Sequence, residues 1–93
     1  MKLAIFGSGK IVQEFLPITQ DLPEIEVKAI LGTKRSQEKT EKIQAEYGID
    51  ASYTDIDECL KSAAFDTVYV AVPNHLHYSF ARKALEAGMH VIC

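Results

Sequence analysis

Five short apolar runs alternate along this chain with four stretches of helical periodicity, and only a few residues join each to the next. Such alternation restricts the fold to parallel strands joined by right-handed crossovers, because a helix must carry the chain back before a parallel neighbour can start. The runs are Leu3-Ala4-Ile5-Phe6, Glu26 to Leu31, a short one from Ala51 to Thr54, Val68 to Val72 and His90 to Cys93. Val68-Tyr69-Val70-Ala71-Val72 is apolar almost throughout, as a central strand covered on both faces requires. The expected architecture is an α/β doubly wound parallel sheet in the order 3-2-1-4-5, with the first strand in the middle.

Between the runs, Lys10 to about Thr19 places Ile11, Val12, Phe15, Leu16 and Ile18 on one helical face, with Pro17 expected to kink the helix or start a new turn. Ser36 is the expected N-cap of a second helix that runs to Tyr47 and stops at Gly48, with Lys39 where a capping box would have an acid. Thr54 or Asp55 caps a third, which turns Ile56, Cys59, Leu60 and Ala63 toward the core. A fourth extends from about His75 to Ala87 and ends at Gly88. The tyrosines 47, 53, 69 and 78 read as packing residues, and His90 as a strand start without a special role.

Ninety-three residues allow one domain with a modest core. An apolar fraction of 47%, a charged fraction of 25% and a formal net charge of −3 describe a soluble globular chain, with no basic excess to hold nucleic acid. The first apolar run is too short for a secretory signal and no stretch has the length of a membrane span, so a cytoplasmic protein is expected. Cys59 and Cys93 would then be two reduced thiols.

Ligands of doubly wound sheets bind where the winding reverses, beyond the carboxyl ends of strands one and four. Those ends are Gly7-Ser8-Gly9 and Val72-Pro73-Asn74. A strand, a turn with two glycines and a helix start make an anion site, since free N–H groups and the positive end of the helix dipole face the same point. Gly7 would allow the tight turn and Gly9 the close approach of a pyrophosphate; Val12 stands where a third glycine would let the helix sit closer to the strand. The end of the second strand, roughly 20 positions beyond, selects between dinucleotides. It carries no acid for a ribose 2′-OH and offers Thr33, Lys34, Arg35 and Ser36, two cations flanked by hydroxyls that would pair with a 2′-phosphate. NADP is therefore favoured over NAD, the alternative being that Lys34 and Arg35 are solvated loop charges. Asn74 can cap the fourth helix. His75 and His77 do not share a helical face and have no third ligand nearby, so no metal is expected.

The run Val70-Ala71-Val72-Pro73-Asn74-His75-Leu76-His77, followed by Ala81, Ala84-Leu85, Ala87-Gly88 and His90-Val91, resembles the signature of the Gfo/Idh/MocA oxidoreductases, relatives of glucose-fructose oxidoreductase and inositol 2-dehydrogenase. The resemblance covers the whole chain and implies a Rossmann domain for NAD or NADP, with an α/β substrate domain following in the complete protein. It places Gly7, Ser8, Gly9, Lys10, Ile11 and Val12 on the pyrophosphate, and Thr33, Lys34 and Arg35 on the adenosine ribose and its phosphate. Val72, Pro73, Asn74 and His77 would line the nicotinamide side. Family members continue from the last strand into Glu-Lys-Pro, whose lysine lies at the reaction centre, whereas this sequence stops at Cys93. The expectation is a cofactor domain, excised or naturally truncated, that binds the dinucleotide without turning over substrate, and that covers its last strand by forming a homodimer or swapped pair through Met89 to Cys93.

Two functional readings follow. One is the cofactor-binding part of an NADP-dependent oxidoreductase acting on a sugar, polyol or related hydroxyl or carbonyl compound, the small-molecule substrate being met only in the full-length protein. The other is a non-catalytic nucleotide-sensing or interaction module on the same fold. An S-adenosylmethionine-dependent methyltransferase fits less well, because such sites want an acid where Lys34 and Arg35 stand.

Overall fold

The computed structural model describes residues 1–62, 64–72 and 74–92, with the backbone alone described at 74 and 75. Its elements are β1 (Lys2–Phe6), α1 (Lys10–Gln20), β2 (Glu26–Leu31), α2 (Gln37–Tyr47), β3 (Ala51–Tyr53), α3 (Ile56–Lys61), β4 (Thr67–Val70), α4 (Asn74–Glu86) and β5 (His90–Ile92). The five strands form one sheet in the order β3-β2-β1-β4-β5, with every pairing parallel. This is the doubly wound order expected from the alternation.

β1 takes the centre because its side chains are apolar on both faces. Leu3 and Ile5 point to one side and join Val12 and Leu16 of α1, Ile30 of β2, Ile43 of α2 and Ile49. Ala4 and Phe6 point to the other and join Ile56 and Cys59 of α3, Phe65, Val68 and Val70 of β4 and Ala84 of α4. The period of two along a strand thus gives each face its own core, and the crossover from β3 to β4 carries the chain between them. Full burial of Leu3, Ile5 and Phe6 contributes on the order of 1.5–3 kcal/mol each, more than any surface pairing here can.

Some local expectations are corrected and others hold. α1 continues as one helix through Pro17, which lies on its exposed face. Only Val12, Leu16 and Thr19 of α1 are buried, while Ile11 and Ile18 are 60% and 55% exposed, because the sheet covers an arc narrower than the apolar stripe. Ser36 occupies the N-cap position of α2 but makes no cap bond; its hydroxyl turns back to Thr33. β4 ends at Val70, although the Ala71 N–H still donates to the Phe6 carbonyl at 2.9 Å. Tyr78 is 75% exposed and does not pack, whereas Tyr47, Tyr53 and Tyr69 are half-buried, Tyr69 stacking on Phe15 at 4.4 Å. Asp55 caps α3 through the Asp57 N–H at 2.8 Å, and Gly48 ends α2 with φ 65°. The expectations on Ala63 and Cys93 lie outside the described residues.

Candidate functional site

The chain leaves β1 pinned to both neighbouring strands. Phe6 accepts from Ala71, and the Gly7 N–H donates to the Leu31 carbonyl at 2.7 Å. Gly7 then turns with φ 131°, and a Cβ at this position would lie 2.5 Å from the Ala71 carbonyl oxygen. Only glycine satisfies both conditions.

α1 begins directly after Gly9, which has no side chain to cap it. The first intrahelical bond runs from the Gln13 N–H to the Gly9 carbonyl at 3.1 Å, so the N–H groups of Lys10, Ile11 and Val12 precede the hydrogen-bonded ladder. The first turn holds no acid to neutralise the helix dipole. A Cβ placed on Gly9 would meet nothing within 4 Å, so the main chain here faces open space. That space is a cleft of about 640 Å³, within the range of about 300–1,000 Å³ that small-molecule sites occupy.

Gly7, Ser8, Gly9, Lys10 and Ile11 form the floor of the cleft, at the point between β1 and β4 where the winding reverses. One wall is the end of β2, from Leu31 and Gly32 to Thr33 and Ser36. Gly32 lets the start of α2 come close, because a Cβ there would run into Thr40 Oγ1. Thr40 is buried and its hydroxyl donates to the Ser36 carbonyl at 3.0 Å, which fixes the turn to the helix. The opposite wall is Ala71 and Val72 after β4, with Leu76 and Phe80 one turn apart on α4. Phe80 meets Phe6 edge to face at 6.0 Å, so the core of the sheet holds this wall in place.

Of the residues expected at the site, Gly7, Ser8, Gly9, Lys10, Ile11, Thr33 and Val72 line the cleft. Val12 does not: its side chain is fully buried between Leu3, Ile5 and Leu16, on the helix face turned to the sheet, and its N–H is one of the three that precede the first intrahelical bond. Lys34 and Arg35 stand exposed between the two lining residues Thr33 and Ser36. His77 is half-buried on α4 and is not among the lining residues. Pro73 and the side chain of Asn74 lie outside the described residues. Leu31, Gly32, Ala71, Leu76 and Phe80 were not among the residues expected at the site, although Ala71 and Leu76 stand in the run that carries the family resemblance; the i, i+4 spacing of Leu76 and Phe80 and the glycine after β2 were the other available signals.

Neither displaced titration among the described residues belongs to the cleft. The Glu26 and Asp50 carboxylates beside Lys28 raise its ammonium above the ordinary range, and burial pushes the Cys59 thiol up to about 12. Among the described residues no three of His, Cys, Asp and Glu come together as a metal site, and no helix is long and apolar enough to cross a membrane. Among the described lining residues Lys10 is the one ionisable side chain, so an anion held on the floor of this cleft would be met chiefly by main-chain N–H groups. The glycine turn, the uncapped helix start and the open space beside Gly9 fit a dinucleotide pyrophosphate.

Residues 1–93 match the family described as "Oxidoreductase family, NAD-binding Rossmann fold". The chain is 31% identical over its whole length to scyllo-inositol 2-dehydrogenase (NADP(+)) IolU of Bacillus subtilis, and 32% identical over its whole length to D-xylose 1-dehydrogenase (NADP(+)) 2 of Haloferax volcanii. It spans 28% of the length of each. An oxidoreductase from Thermotoga maritima superposes with a TM-score of 0.92 at 32% identity, over 100% of this chain and 29% of that one. The glycine turn, the sheet order and the match over every residue lead to one conclusion: the chain belongs to the Gfo/Idh/MocA oxidoreductase family and forms its NAD-binding Rossmann domain.

Proposed function

We propose that residues 1–93 are the cofactor-binding part of a longer oxidoreductase that prefers NADP and acts on a hydroxyl-rich small molecule such as a sugar or polyol. The observation that carries the reading is the cleft at the reversal of winding, with the uncapped start of α1 on its floor and the Thr33–Ser36 turn, bearing Lys34 and Arg35, on its wall. The two cations match a 2′-phosphate, and the two relatives named above carry NADP in their names. The share of their length that this chain spans supports a longer parent, whose remaining part would hold the substrate.

When bound, the nicotinamide supplies hydride transfer. The chain's own part is to hold the pyrophosphate on the N–H groups of α1, to keep the ribose end at the Thr33–Ser36 turn, and to flank the ligand with Val72, Leu76 and Phe80. The same reading places the protein in the cytoplasm, where the unpaired Cys59 stays reduced. It also gives the protein a self-association surface at β5, the edge of the described sheet, where Ile92 is 40% exposed. A single monomeric species in sedimentation at high concentration would remove this last element.

Thermal unfolding with NADP(H), NAD(H) and no ligand tests the cofactor reading. At about 100 times the dissociation constant linkage adds about 2.7 kcal/mol. For a domain of this size that raises the midpoint by about 10–20 °C, and the rise should be larger with NADP(H) than with NAD(H). No rise with either at millimolar ligand refutes it.

A further inference from the structure

The hydroxyls of the Thr33–Ser36 turn are committed to each other. Ser36 Oγ accepts from the Thr33 N–H at 3.1 Å and lies 2.9 Å from Thr33 Oγ1. Thr33 Oγ1 in turn accepts from the Ser36 N–H at 3.2 Å, and the Thr33 carbonyl accepts from the same N–H at 3.1 Å. Both side chains thereby close a four-residue turn, although Ser36 stands where its hydroxyl would ordinarily cap α2. Thr40 anchors one end through the Ser36 carbonyl, and Gly32 keeps that end against β2.

Lys34 and Arg35 are the two residues inside this closed turn, and both are exposed beside the cleft. Long cationic side chains on a mobile loop lose much backbone and rotamer freedom when they grip a phosphate, which weakens binding. A turn whose backbone is already fixed removes part of that loss.

We propose that Thr33 and Ser36 are positioning residues for cofactor choice: their reciprocal clasp holds the backbone that presents Lys34 and Arg35, and so sets the preference for a dinucleotide carrying a 2′-phosphate. The proposal rests on the NADP reading above. It assigns the hydroxyls a role through the two cations, with no contact of their own to the phosphate.

Dissociation constants for NADP+ and NAD+, measured by calorimetry, test it on the wild type, Ser36→Ala, Thr33→Val and Ser36→Thr. The same pair is measured for Lys34→Gln/Arg35→Gln and for that double variant combined with Ser36→Ala. Ser36→Ala and Thr33→Val should each weaken NADP+ about fivefold, the loss of one or two modest hydrogen bonds, and weaken NAD+ clearly less, so that the ratio of the two constants falls. Ser36→Thr keeps the hydroxyl and should keep the wild-type ratio. On the double-glutamine background Ser36→Ala should have no further effect, because the groups it positions are gone.

A persistent fivefold loss on that background would mean that the hydroxyl touches the phosphate itself, and would overturn the proposal. Equal weakening of both dinucleotides, or of neither, would overturn it too. If the double-glutamine variant alone leaves NADP+ binding unchanged, the underlying cofactor reading fails. If it weakens NADP+ while Ser36→Ala does not, the clasp alone fails.

Discussion

Gly7 and Gly9 sit two residues apart in one turn and should fail in opposite ways when replaced by alanine. Gly7 has φ 131°, and its added Cβ would approach the Ala71 carbonyl oxygen to 2.5 Å and the carbonyl carbon to 3.0 Å. Both atoms are backbone, held by the Ala71 N–H bond to Phe6, so they cannot swing aside as a side-chain tip would. The disfavoured dihedral costs about 1–3 kcal/mol and the forced shift of packed backbone a further 1–3 kcal/mol. A total near 4 kcal/mol is a large part of the roughly 5–14 kcal/mol that a chain of this length has. At about 4–8 °C per kcal/mol the midpoint of Gly7→Ala should fall by about 15–30 °C. Gly9 has φ −82° and its Cβ would meet nothing within 4 Å. Gly9→Ala should therefore stay within about 1 kcal/mol of the wild type, the range of an N-cap change. Its methyl group would stand in the space proposed for the pyrophosphate, and the rise in midpoint expected with NADP(H) should largely disappear. Calorimetric unfolding of both variants with and without dinucleotide separates the two effects. A Gly7→Ala midpoint within a few degrees of the wild type would refute the packing argument, and an undiminished ligand shift in Gly9→Ala would refute the placement of the ligand.

Two further outcomes follow from single side chains. The folded-state value of Cys59 is raised from 9.0 to about 12 by burial, so above pH 9 the unfolded chain loses a proton that the native state keeps. Ionisation then favours the unfolded state, and stability should fall by about 0.4 kcal/mol from pH 8 to 9 and by about 1 kcal/mol from pH 9 to 10, steepening toward about 1.4 kcal/mol per unit. Urea unfolding at pH 8, 9 and 10 should show this slope in the wild type and not in Cys59→Ala; identical slopes would place the thiol in contact with water. Asp55→Ala removes the acceptor of the Asp57 N–H and should cost about 1 kcal/mol, read as a midpoint drop of about 4–8 °C. No drop would mean that this short helix is held by Ile56 and Cys59 alone.

The sheet order was legible because it depends on patterns that local sequence carries. Uninterrupted apolar runs mark buried strands, glycines mark helix ends, and the handedness of crossovers leaves few ways to connect them. Strand and helix bounds shifted by a residue or two, as at Val70, where pairing stops although the apolar run goes on to Val72. What single positions do was harder to read. Ile11, Val12 and Ile18 are equally apolar in the sequence, yet Val12 fills the core while Ile11 and Ile18 face outward. The helical period identifies a stripe, and only the docked sheet decides which part of it is covered. Ser36 was legible as a polar helix start and illegible as a turn clasp, since the competing donor, the Thr33 N–H, comes within reach only where the chain turns after β2 at Gly32.

The same distinction explains which parts of the cleft were visible beforehand. Its floor works through the main chain: bare N–H groups, a left-handed turn and the absence of a Cβ beside open space. Glycine is the residue that permits all three, so it marks the floor in the sequence. The walls work through apolar side chains whose residue types are those of any core. Leu76 and Phe80 are cleft residues only because α4 lies across β4 and Phe80 is set against Phe6. A Phe80→Leu substitution, which keeps the burial and loses the edge-to-face contact, should therefore weaken dinucleotide binding more than a change of equal size at Phe65. Phe65 packs in the same core cluster as Phe6 without reaching the cleft. The comparison, made by calorimetry on both variants, asks whether the core around Phe6 positions the wall; equal losses of affinity at the two sites would show that it does not.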